Sequence, residues 1–200
     1  HSMGAMAVQS YGIEYPGDVD GIVSNGGGIF MNPWGRSTQY PQTIVADNLT
    51  EKERNASPAL TKKLPLESMT SYQSKLLPKA LKDRRNFTAP SVTAASRTVR
   101  VKNPLSNGVC TDQTVVDDYV ADPLNNKDFT VGMVEQMLVA QVYNAVNAPD
   151  FTTPTLIMHG QSDGIAPPYL DINWLNAIGS NDKTGYEWSG LMHEIFNEPV

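Results

Sequence analysis

Two short apolar runs that end in glycine constrain this chain more than any other feature. TPTLIMHG, at 153–160, is apolar at consecutive rather than alternating positions, so it reads as a strand buried on both faces of a parallel sheet. VDGIVSNG, at 19–26, is bounded by Asp and Gly and reads the same way, and the Gly26-Gly27-Gly28 triplet then breaks regular structure. Residues 3–14, MGAMAVQSYGIE, read as a helix that stops before Tyr15-Pro16, because proline disfavours helical geometry in the residue before it. Residues 167–178 read as a helix with Leu170, Trp174 and Ile178 on one side. TGYEW at 184–188 follows as a short strand, and EIFNEPV starts another helical turn after His193. Strand, insertion, strand, helix, strand is half of a doubly wound α/β sheet.

Between about 29 and 150 the character changes, with prolines, lysines and asparagines among short helical stretches. DQTVVDDYVA at 112–121 is expected to be a helix capped by Asp112 or Thr111 and stopped by Asp122-Pro123. The strongest helix signal is TVGMVEQMLVAQVYNAVN at 130–147. Val131, Val134, Leu138, Val142 and Ala145 mark one face, and Met133 and Met137 lie beside it. Nothing repeats at a fixed period. The region reads as an inserted cap, which divides the chain into core at 1–28, cap at 29–150 and core again at 151–200.

Composition narrows the function classes. A net charge of −6 without a basic stripe argues against nucleic acid as a partner. The single cysteine, Cys110, excludes an internal disulfide and a cysteine-based metal cluster, and it fits a reducing compartment. No His, Cys, Asp and Glu spacing resembles a metal site. No run approaches the ~20 apolar residues that cross a bilayer. Asn48, Asn55 and Asn86 match the glycosylation sequon, a pattern common enough by chance to carry little weight.

The one complete G-x-S-x-G, Gly160-Gln161-Ser162-Asp163-Gly164, is a decoy. In a nucleophile elbow the helix starts directly behind the serine. Here Ile165-Ala166-Pro167-Pro168 delays it, and too little chain follows to hold an acid-bearing and a histidine-bearing strand. The better elbow is His1-Ser2-Met3-Gly4, where Gly4, Ala5 and Ala7 let a helix pack close behind the turn. Asp163 lies just past a strand end, where catalytic groups collect in open α/β sheets. His193 follows one helix and one strand later. Ser2, Asp163, His193 is the chain order of α/β-hydrolase triads. The residue types suit the chemistry: serine needs a base, imidazole titrates near neutral pH, and a carboxylate fixes its tautomer.

HSMG, the YP-x-x-VDGIV-type passage, PTLIMHGQSD, MHEIFNEP and the cap helix VVDDYVADPL together resemble the monoacylglycerol lipase and lysophospholipase group of serine α/β-hydrolases. The resemblance implies the C-terminal part of an α/β-hydrolase fold, truncated at both ends, with a mainly helical cap. It implies Ser2 as nucleophile, Asp163 as acid, His193 as base and the Met3 backbone N–H as one oxyanion donor, the second donor lying outside this chain. It further implies hydrolysis of a lipid-like carboxylic ester without a cofactor, with the cap as the expected place of any peripheral membrane contact. Two rivals stand beside it: an aminopeptidase of the same superfamily, holding a substrate ammonium on Asp112, Asp117 or Asp118, and a non-catalytic binding protein or inert fragment. His1 and His159 read as structural, Asp171 as a surface charge on its helix, and Glu194 and Glu198 as carboxylates of the terminal helix's first turn.

Overall fold

A computed structural model describes residues 1–35, 42–45, 66–88, 90–91, 93–103 and 105–200. In chain order the elements are α1 (Met3–Glu14), β1 (Ile22–Asn25), β2 (Gln42–Val45), α2 (Leu66–Lys82), α3 (Ala94–Thr98) and β3 (Arg100–Lys102). There follow α4 (Gln113–Ala121), β4 (Asp128–Thr130), α5 (Val131–Asn147), β5 (Thr155–Gly160), α6 (Tyr169–Ala177) and β6 (Lys183–Ser189), then a 3₁₀ turn at Ile195–Asn197. The main sheet is parallel throughout, in the order β1-β5-β6-β2. β3 and β4 form a separate antiparallel pair.

Local sequence accounts for most of these boundaries. The expected strand at 19–26 shortens to Ile22–Asn25, since Gly26 takes a positive φ of 64° that ends extended geometry. α4 is capped by Asp112, whose carboxylate accepts the Thr114 N–H, and α5 by Thr130, whose hydroxyl accepts the Met133 N–H. The buried face of α5 runs through Leu138, Val139, Val142, Ala145 and Val146, while Val131 and Val134 at its start are half-buried.

The core lies between the sheet and α1, α5 and α6. Ile13, Ile22, Ile29, Ala145, Phe151, Ile157, Trp174 and Ile178 form one cluster, with Phe151 edge-on to Trp174 at 5.2 Å. Ile157 points into this cluster. Met158, one residue on, packs on the opposite face against Leu191, Ile195 and Trp188. That opposite face is thinly covered, and Val23 of β1 is 60% exposed on it.

Two elements inside 29–150 belong to the layers of the sheet: β2 forms its edge, and α5 packs against α1. Asn144 of α5 donates to the Met6 carbonyl at 3.0 Å and accepts from Ser10 Oγ at 2.7 Å. These buried bonds fix the two helices in one register. α2 docks on α5 in turn, with Gln73 donating to the Leu138 carbonyl and to Gln141 Oε1. The sequon residues Asn48 and Asn55 lie outside the described residues, and Asn86 is exposed. Among the described residues no helix is long and apolar enough to cross a membrane.

At the end of β5, Gly160 has no room for a side chain. A Cβ there would run into the main-chain carbonyls of Leu191 and Met192, in the loop that carries His193. Backbone cannot yield as a flexible side chain does. Gly160→Ala is therefore expected to lower stability by about 1–3 kcal/mol, an overpacking cost. Urea unfolding of the two proteins side by side measures it, and an unchanged midpoint would contradict this account of the strand end.

Candidate functional site

Ser2 stands at the N-cap of α1 with φ 55° and ψ −129°. Among the described residues no other non-glycine residue has a positive φ. This region is sparsely populated for a side chain with a Cβ and costs of order 1–3 kcal/mol. The turn is tied to the end of β1, where the Ser2 N–H donates to the Asn25 carbonyl at 2.8 Å and His1 Nδ1 lies 2.6 Å from Asn25 Oδ1. The Met3 N–H sits in the first turn of α1, where helical N–H groups have no intrahelical acceptor. Ser162, by contrast, lacks the positive φ, and the following helix begins only at Tyr169.

Asp163 and His193 meet as a buried pair, with His193 Nδ1 2.7 Å from Asp163 Oδ2 and each residue 3% exposed. The other carboxylate oxygen accepts the N–H groups of Ile165 and Ala166 at 2.8 and 2.9 Å, which closes the loop after β5 around the charge. Burial pushes the Asp163 carboxyl up. Hydrogen bonds from His159 and His193 outweigh this and hold it down at about 2.

His193 reaches the elbow from above β1. Its ring packs at a tilt of 55° against that of His1 with centroids 4.5 Å apart, and a Cβ on Gly26 would lie 2.9 Å from its Cε1. The positive φ and the crowding together reserve position 26 for glycine. Ser2 Oγ forms no hydrogen bond with His193 among the described residues.

Two carboxylates differ from their sequence-based expectations. Asp171 is no surface charge: it is 3% exposed, lies 2.7 Å from His159 Nδ1 and accepts the Gly27 N–H at 3.3 Å. A helical position predicted exposure because α6 carries an apolar stripe, but α6 is covered on the polar side too, by the Gly-rich passage after β1. Glu198 likewise does not serve the first turn of the terminal helix, since it follows the 3₁₀ turn at Ile195–Asn197. Its Oε1 accepts the Met192 N–H at 2.7 Å, and Oε2 accepts the Thr111 N–H at 3.1 Å and the Thr111 hydroxyl. It thereby ties the histidine loop to the segment before α4. Glu194 does act locally, accepting from Asn197 in the terminal 3₁₀ turn. Cys110 is buried against the Asn197 carbonyl, and burial pushes its thiol up to about 12.

Asp118, Asp122 and Glu194 line an open cavity of about 510 Å³ with Val115, Tyr119 and Asn125. Asp112 is occupied as a helix cap, and Asp117 accepts from Gln113. Among the described residues no group of three or more His, Cys, Asp or Glu side chains is placed to hold a metal.

Comparison with known proteins identifies the family. The family described as serine aminopeptidase, S33, matches residues 1–200. A monoacylglycerol lipase of Mycolicibacterium smegmatis is 24% identical over the whole chain, which spans 55% of that protein. The phospholipase YtpA of Bacillus subtilis is 44% identical over 46 residues, 23% of this chain and 18% of that protein. Among solved structures, the monoacylglycerol lipase of Paleococcus ferrophilus superposes over 100% of this chain and 60% of its own, with TM-score 0.64 and 20% identity. A soluble variant of the Saccharomyces cerevisiae monoglyceride lipase, in complex with a substrate analog, covers 98% of this chain and 56% of its own at TM-score 0.57 and 18% identity. The chain thus spans about half the length of the relative it matches end to end. Its parallel sheet with flanking helices is part of an α/β-hydrolase fold, and the chain belongs to the serine aminopeptidase S33 family.

Proposed function

We propose that the protein containing this chain is a serine hydrolase that cleaves carboxylic esters with an apolar acyl group, a monoacylglycerol or lysophospholipid among them. The observation that carries the reading is the strained φ of Ser2 at the start of α1, beside a buried His193–Asp163 pair packed on the end of the same strand. In this reading Ser2 Oγ attacks the ester carbonyl while His193 takes its proton and passes it to the leaving alcohol. Asp163 holds the imidazole through Nδ1 and supports its charge. Water then attacks the acyl-enzyme with His193 again as base, restoring Ser2 and releasing the acid. The Met3 N–H and the dipole of α1 face the developing oxyanion. Relatives named as monoacylglycerol lipase and phospholipase support the lipid class. The insertion is proposed as the cap, with α2, α3 and α4 as the parts outside the layers of the sheet, shaping the acyl pocket and providing any peripheral membrane contact.

A specific observation favours a second reading. The carboxylates of Asp118, Asp122 and Glu194 line an open cavity directly after His193, which suits a substrate ammonium and hence an aminopeptidase. Comparing p-nitrophenyl butyrate with proline p-nitroanilide on the full-length protein separates the two, and faster amide than ester turnover would sink the lipase reading.

Fluorophosphonate labelling with peptide mapping tests the nucleophile. The adduct is expected on Ser2 and absent in Ser2→Ala, whose ester turnover falls by about 10⁴-fold or more. Adduct on Ser162 would overturn the assignment.

The acid of the triad leaves a pH signature. The folded-state value of Asp163, about 2, is depressed below the unfolded ~3.9. The stability it confers is therefore fully present above pH ~4 and lost as pH falls toward 2. Asp163→Asn should remove that component from acid unfolding and lower kcat by about 10²–10⁴-fold, because the amide no longer supports the imidazolium. Acid-unfolding curves of the two proteins that run parallel between pH 4 and 2 would contradict this assignment.

A further inference from the structure

His159 lies behind the proposed triad, on the face of β5 that also carries Ile157 and Thr155, and it is 2% exposed. Both ring nitrogens face acceptors. Nε2 is 2.6 Å from the Ala166 carbonyl and 3.1 Å from Asp163 Oδ2, and Nδ1 is 2.7 Å from Asp171 Oδ2. A carbonyl only accepts, so Nε2 carries a proton. Nδ1 faces Asp171 Oδ2, which also accepts the Gly27 N–H, an arrangement that suits an ionised Asp171 and a second ring proton. Asp163 Oδ2 is shared, with His193 Nδ1 on one side and His159 Nε2 on the other.

We propose that His159 is a positioning residue held as an imidazolium between Asp171 and Asp163, which fixes the Asp163 carboxylate and moderates the negative charge that His193 senses. The proposal rests on the triad reading above. The titratable groups facing the ring are Asp163 on its own loop, Asp171 on α6, Glu187 opposite it in register on β6, and His193 across the shared oxygen. Three of these four are carboxylates, so the positive ring is well matched in charge. Burial alone pushes the His159 ring down, but hydrogen bonds to Asp163 and Asp171 outweigh it and raise it to about 10. The stability linked to this charge is fully present below pH ~6.5, the unfolded value, and is lost as pH rises through about 10.

The role has a direction. A fixed positive charge on the far side of Asp163 weakens that carboxylate's hold on the His193 proton. Neutralising His159 should strengthen the hold and shift the titration of His193 upward.

Nitrogen-15 NMR of histidine-labelled full-length protein tests this without relying on turnover. Both His159 nitrogens are expected to be protonated from pH 5 to 8. A singly protonated ring, accepting at Nδ1 from a neutral Asp171, would overturn the proposal. In His159→Gln the His193 titration should move up by about one pH unit, with the acid limb of kcat/KM following it, and in Asp171→Asn it should do so at pH values where the nitrogen-15 spectra show His159 reduced to one proton. Asp171→Asn keeps the ring in place and covers the case in which His159→Gln fails to fold. Loss of activity at all pH values with an unmoved His193 titration would assign His159 a packing role and overturn the electrostatic one. A shifted His193 titration in a protein that hydrolyses no ester would leave the clamp standing and refute the proposed function alone.

Discussion

The site is organised around one carboxylate. Asp163 is almost fully buried, and a charge in that position is very costly unless every lone pair is met. Four donors meet it. The N–H groups of Ile165 and Ala166 close the loop onto Oδ1, while His159 and His193 share Oδ2. These donors come from the Asp163 loop itself, from β5 and from the loop after β6, so the charge can be satisfied only when all three are in place. The desolvation that would eject the carboxylate thus becomes the force that orders its neighbours. Glu198 repeats the device on a smaller scale, since its two oxygens fix Met192 and Thr111 and hold the histidine loop from its other side.

The other half of the site depends on strain rather than charge. The φ of Ser2 persists because its surroundings over-determine it. Ala5 and Gln9 press α1 against Gly27 and Gly28, close enough that Gln9 Oε1 accepts the Gly28 N–H at 3.3 Å. From behind, Asn144 and Ser10 lock α1 to α5. With the helix fixed at that depth and the Ser2 N–H fixed to the Asn25 carbonyl, the residue between them has little conformational choice.

What was legible in the sequence follows from this physics. Hydrophobic runs and caps are local signals, so α1, β1, α4, α5, β5, α6 and β6 can be read within a few residues, and Asp112 is one of the two cap residues, with Thr111, that precede α4. β2 and the β3–β4 pair could not. Gln42–Val45 has no alternating pattern and becomes a strand because β6 offers it an edge, while Arg100–Lys102 owes its pairing to a partner strand far along the chain. The same limit applies to the site. Ser2, Asp163 and His193 carry motif context, but the roles of Asp171 and Glu198 depend on partners that no spacing rule supplies. Asp171 looked solvated because α6 has an apolar stripe on one side. A buried histidine two positions beyond Ile157 on β5 is the signal that would have placed it, because strand alternation points that ring toward α6.

Sheet order explains why a glycine is needed where the loop carrying His193 crosses β5. β5 lies between β1 and β6, so a histidine leaving β6 meets Asp163 in the loop after the adjacent strand but must cross the end of β5 to approach Ser2 beside β1. Neighbouring strands are ~4.8 Å apart, and a direct crossing places main chain on main chain. The backbone makes that crossing at Gly160. The Gln161 N–H bonds the Trp188 carbonyl and the Ser162 N–H bonds the Leu191 carbonyl, both at 2.8 Å, while the missing Cβ leaves room for the Met192 carbonyl. On the far side the histidine ring lands on Gly26, the second place where a side chain would stop it. Each residue type in Gly160-Gln161-Ser162-Asp163-Gly164 has a structural use of its own at this crossing. Its first glycine is a bridge for the histidine loop, its aspartate is the charge that loop is drawn to, and its serine donates a backbone hydrogen bond to the crossing chain.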